Sequence, residues 1–379
     1  MKAQRHVMII AGEASGDLHA ARLAREILRL SPATKFFGIG GERMRAVGVE
    51  TLYDAEQMAA MGFTAVVRRL GFFVRVLREM CDLAARRRPD AVILVDYPGF
   101  NLRLAARVHA MGLKTIYYVC PQVWAWNRSR IPKMARIVDR LIAIFPFEKQ
   151  YFEGTGMAVD YVGHPLVDEL KESAAQVATA LPWKGEPRIA VLPGSRHHEI
   201  ECILPPMWGA AALLEKRHPE ASFLIPTPSA NTEALVRATI AGLRQGPSRW
   251  DIVVGATRPV LHQARAALVA SGTATLEACL MRCPTVIAYK ASPLTALITR
   301  IVIRVPFLGI VNLLAGKEVC PELLQSRARA PALAAALNPL LLDGPRRENM
   351  LAEMDKVNAS LGAGGAAARA AAIVVQELG

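Results

Sequence analysis

A chain of 379 residues, 52% of them hydrophobic, is too long for one ordinary α/β domain and has ample apolar material for two packed cores. Its formal charge of +13 predicts an anionic partner: nucleic acid, an acidic membrane face or phosphorylated substrates. Aromatic content of 6% and the lack of a recognisable nucleic-acid module argue against nucleic acid.

Met1 leads directly into a predicted strand, His6–Ile10, without the basic flank, apolar stretch and cleavage site of a signal peptide. The strand opens onto Gly12-Glu13-Ala14-Ser15-Gly16-Asp17 and a predicted helix from Leu18 to Leu30. Two glycines permit a tight turn, and a helix start offers free N–H groups to an anion. The spacing is neither G-x-G-x-x-G nor a P-loop, so a dinucleotide or ATP site is not supported, and a turn capped by Ser15 or Asp17 is the plainer alternative. From Phe63 to Leu77, apolar residues (Phe63, Val66, Val67, Leu70, Phe73, Val74) recur at helical spacing beside Arg68, Arg69, Arg75 and Arg78. Such a face suits an anionic membrane, and equally an ordinary helix covering a sheet.

Ala91–Val95 is an apolar run that ends in Asp96, at the carboxyl end of a buried strand, where open α/β sheets bind ligands. A partly buried carboxylate there can act as a general base toward a sugar hydroxyl, or simply cap the helix predicted near Leu102. After the strand Thr115–Val119, the loop Pro121–Asn127 carries Trp124 and Trp126, which could wall a sugar or lipid site or pin the loop to a core. Leu141–Ile144, the Gly163-His164-Pro165 turn, a charged helical segment to about Leu181 and the Pro182–Pro187 break follow.

The strand–turn–helix pattern restarts at Ile189–Leu192, followed by Pro193-Gly194-Ser195-Arg196-His197-His198-Glu199-Ile200. Arg196 can grip a diphosphate through its planar fork. The H-E-x-x-H zinc spacing fails, because position 202 is Cys202. Ser222–Ile225, Ile252–Val254, Ala267–Ala270 and Thr285–Ala288 complete a second predicted parallel sheet. Ala267–Ala270 ends in Ser271-Gly272-Thr273, which can present backbone donors to phosphate, and Glu277 one turn on could accept from ribose hydroxyls. A Ser/Thr-capped helix with a buried, paired glutamate is the alternative. Leu294–Val311 is interrupted by Arg300, Arg304 and Pro306, too short for the ~20 apolar residues of a spanning helix. The six cysteines show no disulfide or zinc spacing, which predicts a reducing compartment. The chain ends in alanine-rich helices, the last at Ala366–Leu378.

The residues alone divide the chain into 1–165, a linker 166–187, a second sheet domain 188–340, and helices 341–379. In order, Gly12–Asp17, Asp96-Tyr97-Pro98-Gly99-Phe100-Asn101, Pro121–Trp126, Phe145-Pro146-Phe147-Glu148, Gly163-His164-Pro165, Leu192–Arg196, Ser271–Thr273 and Asn312-Leu313-Leu314-Ala315-Gly316 resemble the lipid-A-disaccharide synthase family. The resemblance implies the type B glycosyltransferase fold, two Rossmann-like domains facing a cleft, with acceptor in the amino half and donor in the carboxyl half. It implies condensation of UDP-2,3-diacylglucosamine with 2,3-diacylglucosamine 1-phosphate (lipid X) to a β-1,6-linked disaccharide 1-phosphate, with inversion and release of UDP. Asp96 would be the base. Arg196, Ser271, Gly272, Thr273 and Glu277 would hold UDP, with Asn312 in the same cleft and Glu13, Ser15 and Gly16 on the acceptor side. No cofactor or obligatory metal is expected. Phe63, Val66, Val67, Arg68, Arg69, Leu70, Phe72 and Phe73 would face an anionic membrane, placing the enzyme on the cytoplasmic face of a Gram-negative inner membrane. The helices 341–379 are expected either to pack back on the amino-terminal domain or to be exchanged in a dimer, the exchange being what the resemblance implies. Rivals are a related UDP-N-acetylglucosamine transferase or epimerase and a non-catalytic UDP-sugar or anionic-lipid binder.

Overall fold

The computed structural model describes residues 4–58, 70–172, 179–291 and 305–379. The chain divides into two compact units: Met1–Asp168 with Leu361–Gly379, and Glu169–Ser360.

In the first unit, β1 (His6–Ala11), β2 (Lys35–Gly40), β3 (Glu50–Asp54), β4 (Ala91–Val95), β5 (Thr115–Tyr118), β6 (Arg140–Ala143) and β7 (Ala158–Tyr161) form one sheet in the order β3-β2-β1-β4-β5-β6-β7. Every pairing is parallel. Val7–Ala11 and Ala91–Val95 are fully buried, which explains why these strands read as unbroken apolar runs: helices cover both faces of the sheet. The strand order reverses between β1 and β4. Ala11 pairs with Val95 and Val95 with Tyr118, so the carboxyl ends of β1, β4 and β5 finish level.

The second unit repeats the plan with β8 (Arg188–Leu192), β9 (Ser222–Thr227), β10 (Trp250–Val254), β11 (Ala266–Ala270), β12 (Thr285–Tyr289) and β13 (Glu322–Leu324), ordered β10-β9-β8-β11-β12-β13. All its pairings are parallel too, and the reversal falls between β8 and β11, where Leu192 pairs with Val269. Helices His197–Arg217 and Ala330–Leu341 pack together, contributing Ile203, Leu204, Trp208, Leu333 and Leu337 to the core.

Two boundaries differ from the sequence division. Trp183 and Lys184 are fastened to the second unit, through Trp183 Nε1 to Gln263 (3.0 Å) and Lys184 N to Ser222 Oγ (2.8 Å), so the stretch leading into β8 is part of that unit and not a free linker. The helix Pro345–Ser360 packs against Thr273–Leu280 and Ile310–Ala315, again within the second unit, because Met350, Met354 and Val357 supply an apolar face. The last helix, Ala366–Leu378, belongs instead to the first unit. It lies along the helix Ala14–Leu30. Asp168 accepts from Gly365 N (2.5 Å) and Ala366 N (3.0 Å) at its start, Arg369 donates to Val162 O, and Lys114 pairs with Glu377 at 2.8 Å near its end.

Candidate active site

In the first unit the loops after β1 and β4 meet at the reversal of strand order, the position where open parallel sheets take ligands. Asp96 follows β4 directly, and its N–H makes one more rung to Tyr118 O. It then turns sharply: Asp96 and Tyr97 both adopt left-handed backbone, φ 47° and 48°. Non-glycine residues rarely do so, and the turn is held from beneath. Asn101 Nδ2 donates to Val95 O (3.2 Å) and Asp96 O (2.8 Å), and Tyr117 Oη donates to Asp96 O (2.5 Å). Asp96 is not a helix cap. The helix Pro98–Ala110 is entered through Tyr97 without a side-chain cap and starts four residues earlier than predicted.

Burial first, and then the Glu13 carboxylate, push the Asp96 carboxyl up from 3.8 to about 6. A base poised there is ionised at neutral pH yet basic enough to take a hydroxyl proton in a transition state. Glu13 and Ser15 are exposed at the start of the helix Ala14–Leu30, whereas Gly16 is buried, its α-carbon turned toward Ala11 and Val95 O. Gly12 must be glycine: a β-carbon would sit 2.4 Å from the Tyr97 ring. Neither Ser15 nor Asp17 caps this helix. Asp17 instead accepts from Gly41 N (2.6 Å), Arg43 N (3.1 Å) and Met44 N (3.2 Å) at the start of the next helix.

In the second unit a cavity of about 320 Å³ opens at the corresponding reversal, between the loops after β8 and β11. Arg196, Ser271, Gly272, Thr273 and Glu277 all line it. Gly272 stands in the N-cap position of the helix Thr273–Leu280, which no side chain caps, so its first turn can donate N–H groups to an anion. Ser271 Oγ is directed to Leu308 O at 3.3 Å. Arg196 is exposed and paired with Glu199 at 2.8 Å, a partner that an incoming anion would have to displace. Glu277 is mostly buried and bonded by Arg258 Nε at 3.2 Å. Burial raises its carboxyl despite that pairing.

Asn312, expected nearby in the same cleft, is not among the residues that line this cavity. It is fully buried, with Nδ2 on Cys320 O and Glu322 Oε1 and Oδ1 accepting from Val319 N and Cys320 N, all at 2.8 Å. Its amide is fully occupied in fixing the chain that leads into β13. Among the described residues no cluster of three or more His, Cys, Asp or Glu is arranged to hold a metal ion.

A family model described as Lipid-A-disaccharide synthetase matches residues 7–375. The chain belongs to the lipid-A-disaccharide synthase family. A relative named lipid-A-disaccharide synthase, from Anaeromyxobacter sp. (strain K), is 43% identical over 96% of this chain and 95% of its own length. Among solved structures, the calicheamicin glycosyltransferase CalG4 matches with TM-score 0.63 at 17% identity, over 100% of this chain and 99% of that one. A UDP-GlcNAc 2-epimerase from Neisseria meningitidis, solved with UDP-GlcNAc, matches with TM-score 0.62 at 14% identity over 98% of each chain. At those identities the two structures speak to the fold alone: two parallel-sheet units of the type B glycosyltransferase class. As a member of the lipid-A-disaccharide synthase family, the chain is a glycosyltransferase of lipid A biosynthesis.

In this family member the tryptophan loop divides its labour. Trp124 is a pin: 2% exposed, it donates to Glu148 Oε1 (3.2 Å) and packs edge-on to Phe147 at 4.8 Å. Glu148, fully buried, also accepts from Ile144 N and Phe145 N, and burial lifts its carboxyl from 4.5 to about 7. Trp126 is 39% exposed under the Arg130 guanidinium at 5.0 Å. Of the expected membrane face, Phe63, Val66, Val67, Arg68 and Arg69 lie outside the described residues. Leu70 and Val74 are 57% and 45% exposed on the helix Leu70–Arg87, whose other face buries Val76, Leu77, Met80 and Leu83. Phe72 and Phe73 are half-buried, edge to face at 5.6 Å, with Phe72 also against Tyr53. No helix among the described residues is long and apolar enough to cross a membrane. Sequence reasoning missed Arg258, Glu199 and the Asn101–Tyr117 clamp. Only the proximity of Asn101 to Asp96 could have hinted at the last of these.

Proposed function

We propose that this glycosyltransferase joins the glucosamine of UDP-2,3-diacylglucosamine to the 6-hydroxyl of 2,3-diacylglucosamine 1-phosphate (lipid X), forming a β-1,6-linked disaccharide 1-phosphate and UDP. The observation that carries this reading is the family match over residues 7–375, and the buried Asp96 carboxyl at the first sheet's reversal supports its chemistry. The Arg196, Ser271–Thr273 and Glu277 cavity at the second supports it.

In this mechanism Asp96 accepts the proton of the acceptor hydroxyl as its oxygen attacks the anomeric carbon, while the bond to the UDP β-phosphate oxygen breaks. One displacement inverts the anomeric centre, so no sugar–enzyme bond forms. Negative charge gathers on the departing diphosphate. The Arg196 fork and the uncapped N–H groups after Gly272 are the chain's means of stabilising it. Glu277 accepts from the ribose hydroxyls, and Glu13 and Ser15 flank the acceptor. No divalent ion is obligatory in this scheme, so the expected outcome is that turnover survives exhaustive chelation; loss of turnover that one divalent ion restores would overturn this.

Leu70, Val74 and the arginines beside them bind an anionic membrane on the cytoplasmic side, where acylated substrates reside. Nucleic acid is not a partner. The test is turnover of UDP-2,3-diacylglucosamine with lipid X in detergent micelles, with disaccharide 1-phosphate followed by mass spectrometry, for wild type and Asp96→Asn. Product from wild type alone supports both substrate and base. Equal product from the variant removes Asp96 from its role, and product only with UDP-N-acetylglucosamine in place of the acylated donor overturns the substrate assignment.

A further inference from the structure

Behind the donor cavity a single cation ties together two carboxylates. Arg258, at the start of the helix Thr257–Gln263, donates from Nε to Glu277 Oε1 at 3.2 Å and from Nη2 to Glu169 Oε2 at 2.7 Å, and Nη1 reaches Glu169 O at 3.4 Å. The three side chains are 24%, 18% and 12% exposed for Arg258, Glu277 and Glu169. Glu277 lines the cavity whereas Arg258 does not.

A guanidinium is planar, and bonds from two different edges fix that plane. Glu169 therefore orients Arg258, and Arg258 orients Glu277. A carboxylate held at one oxygen retains acceptor capacity at the other, and it accepts from a diol only while ionised. Burial works against that charge in Glu277, and Arg258 is the group that opposes burial.

We propose that Arg258 is a positioning residue that holds Glu277 as the acceptor for the ribose hydroxyls of the donor nucleotide, with Glu169 as its anchor. The inference rests on the reading of this cavity as the UDP site. It separates a specificity function, ribose over deoxyribose, from the phosphate grip assigned to Arg196 and the turn at Gly272.

The test compares calorimetric affinities for UDP and for 2′-deoxy- and 3′-deoxyuridine diphosphate in wild type, Arg258→Met, Arg258→Lys, Glu277→Gln and the Met/Gln double variant, with thermal melts of each. Wild type is expected to prefer UDP by roughly tenfold or more, as for loss of a hydrogen bond to a charged group. Arg258→Met should erase most of that preference by weakening UDP alone, and the double variant should bind no worse than Glu277→Gln. Lysine, a point charge without the fork, should restore only part of the preference. An Arg258→Met protein that keeps the wild-type preference, or that loses UDP and deoxy analogues equally, overturns the proposal while leaving the UDP site intact. Wild type that binds UDP without preferring it over the deoxy forms overturns the ribose role of Glu277, and Arg258 falls with it. Wild type that binds no UDP overturns the site itself. If Arg258→Met does not fold, Glu169→Gln loosens Arg258 without deleting it. A reduced preference is expected there, and an unchanged one overturns the proposal.

Discussion

Replacing Asp96 by asparagine removes the charge but keeps the shape, and asparagine tolerates the left-handed backbone this position requires. The carboxyl is lifted from 3.8 to about 6. About nine-tenths of it is thus ionised at pH 7 and about one-tenth at pH 5. Keeping the ionised form in the folded chain costs on the order of 3 kcal/mol, at about 1.4 kcal/mol for each tenfold change. The folded chain holds this proton to higher pH than the unfolded one. The cost is therefore absent below 3.8, grows as pH rises toward about 6, and is complete above that. Asp96→Asn should be more stable than wild type at about pH 8, by at most that amount, with the advantage vanishing near pH 4. Its turnover should fall roughly 10²–10⁴-fold. Urea unfolding across this range, paired with initial rates, measures both, and wild-type kcat/KM should rise tenfold per pH unit and level near pH 6. A rate limb centred near 4, or a variant that retains both limb and rate, would refute the assignment of Asp96 as a base with a raised pKa.

Arg196→Ala should weaken UDP binding about tenfold or more in calorimetry, with lysine recovering only part, because the diphosphate needs a fork. Gly272→Val should melt within a few degrees of wild type, since a β-carbon there meets no atom within 4 Å and the backbone is extended at φ 162°, yet lose UDP affinity as the side chain enters the phosphate approach. An unchanged affinity would count against the cradle. Glu148→Gln should be less stable than wild type at pH 5, because whichever way its amide turns the NH₂ faces a donor, either Trp124 Nε1 or Ile144 N and Phe145 N, and the deficit should narrow toward pH 8 as the wild-type carboxyl ionises through about 7. Asp168→Ala should cost about 1 kcal/mol in urea unfolding and speed hydrogen exchange in the helix Ala366–Leu378, whose first N–H groups it caps.

What could be read from the sequence follows burial. β1, β4, β8 and β11 lie at the centre of their sheets and announce themselves as apolar runs. β2 is interrupted by Gly38, which exists because a β-carbon there would meet Ile9 O at 2.0 Å, a close approach invisible in one dimension. β3 and β7 are half-exposed edge strands without a strong pattern. Asp96 was legible because a charge ends a buried run. Arg258 was not, because its partners lie 89 and 19 positions away. Asn312 stood out only as part of a motif, and nothing in one dimension showed that its amide would be bonded to the chain around Val319–Glu322.

The first unit is assembled from both ends of the polypeptide, with the second inserted between them. During synthesis, Glu169–Ser360 is complete before the helix Ala366–Leu378 emerges, so the inserted unit can close its core first. Until then the helix Ala14–Leu30 lacks the neighbour that covers it, and an early, unfinished first unit exposes apolar surface for the time needed to translate about half the chain. Truncations that spare every residue of the candidate site but remove the last helix would therefore strike the unit that holds Asp96, at the opposite end of the sequence from the damage.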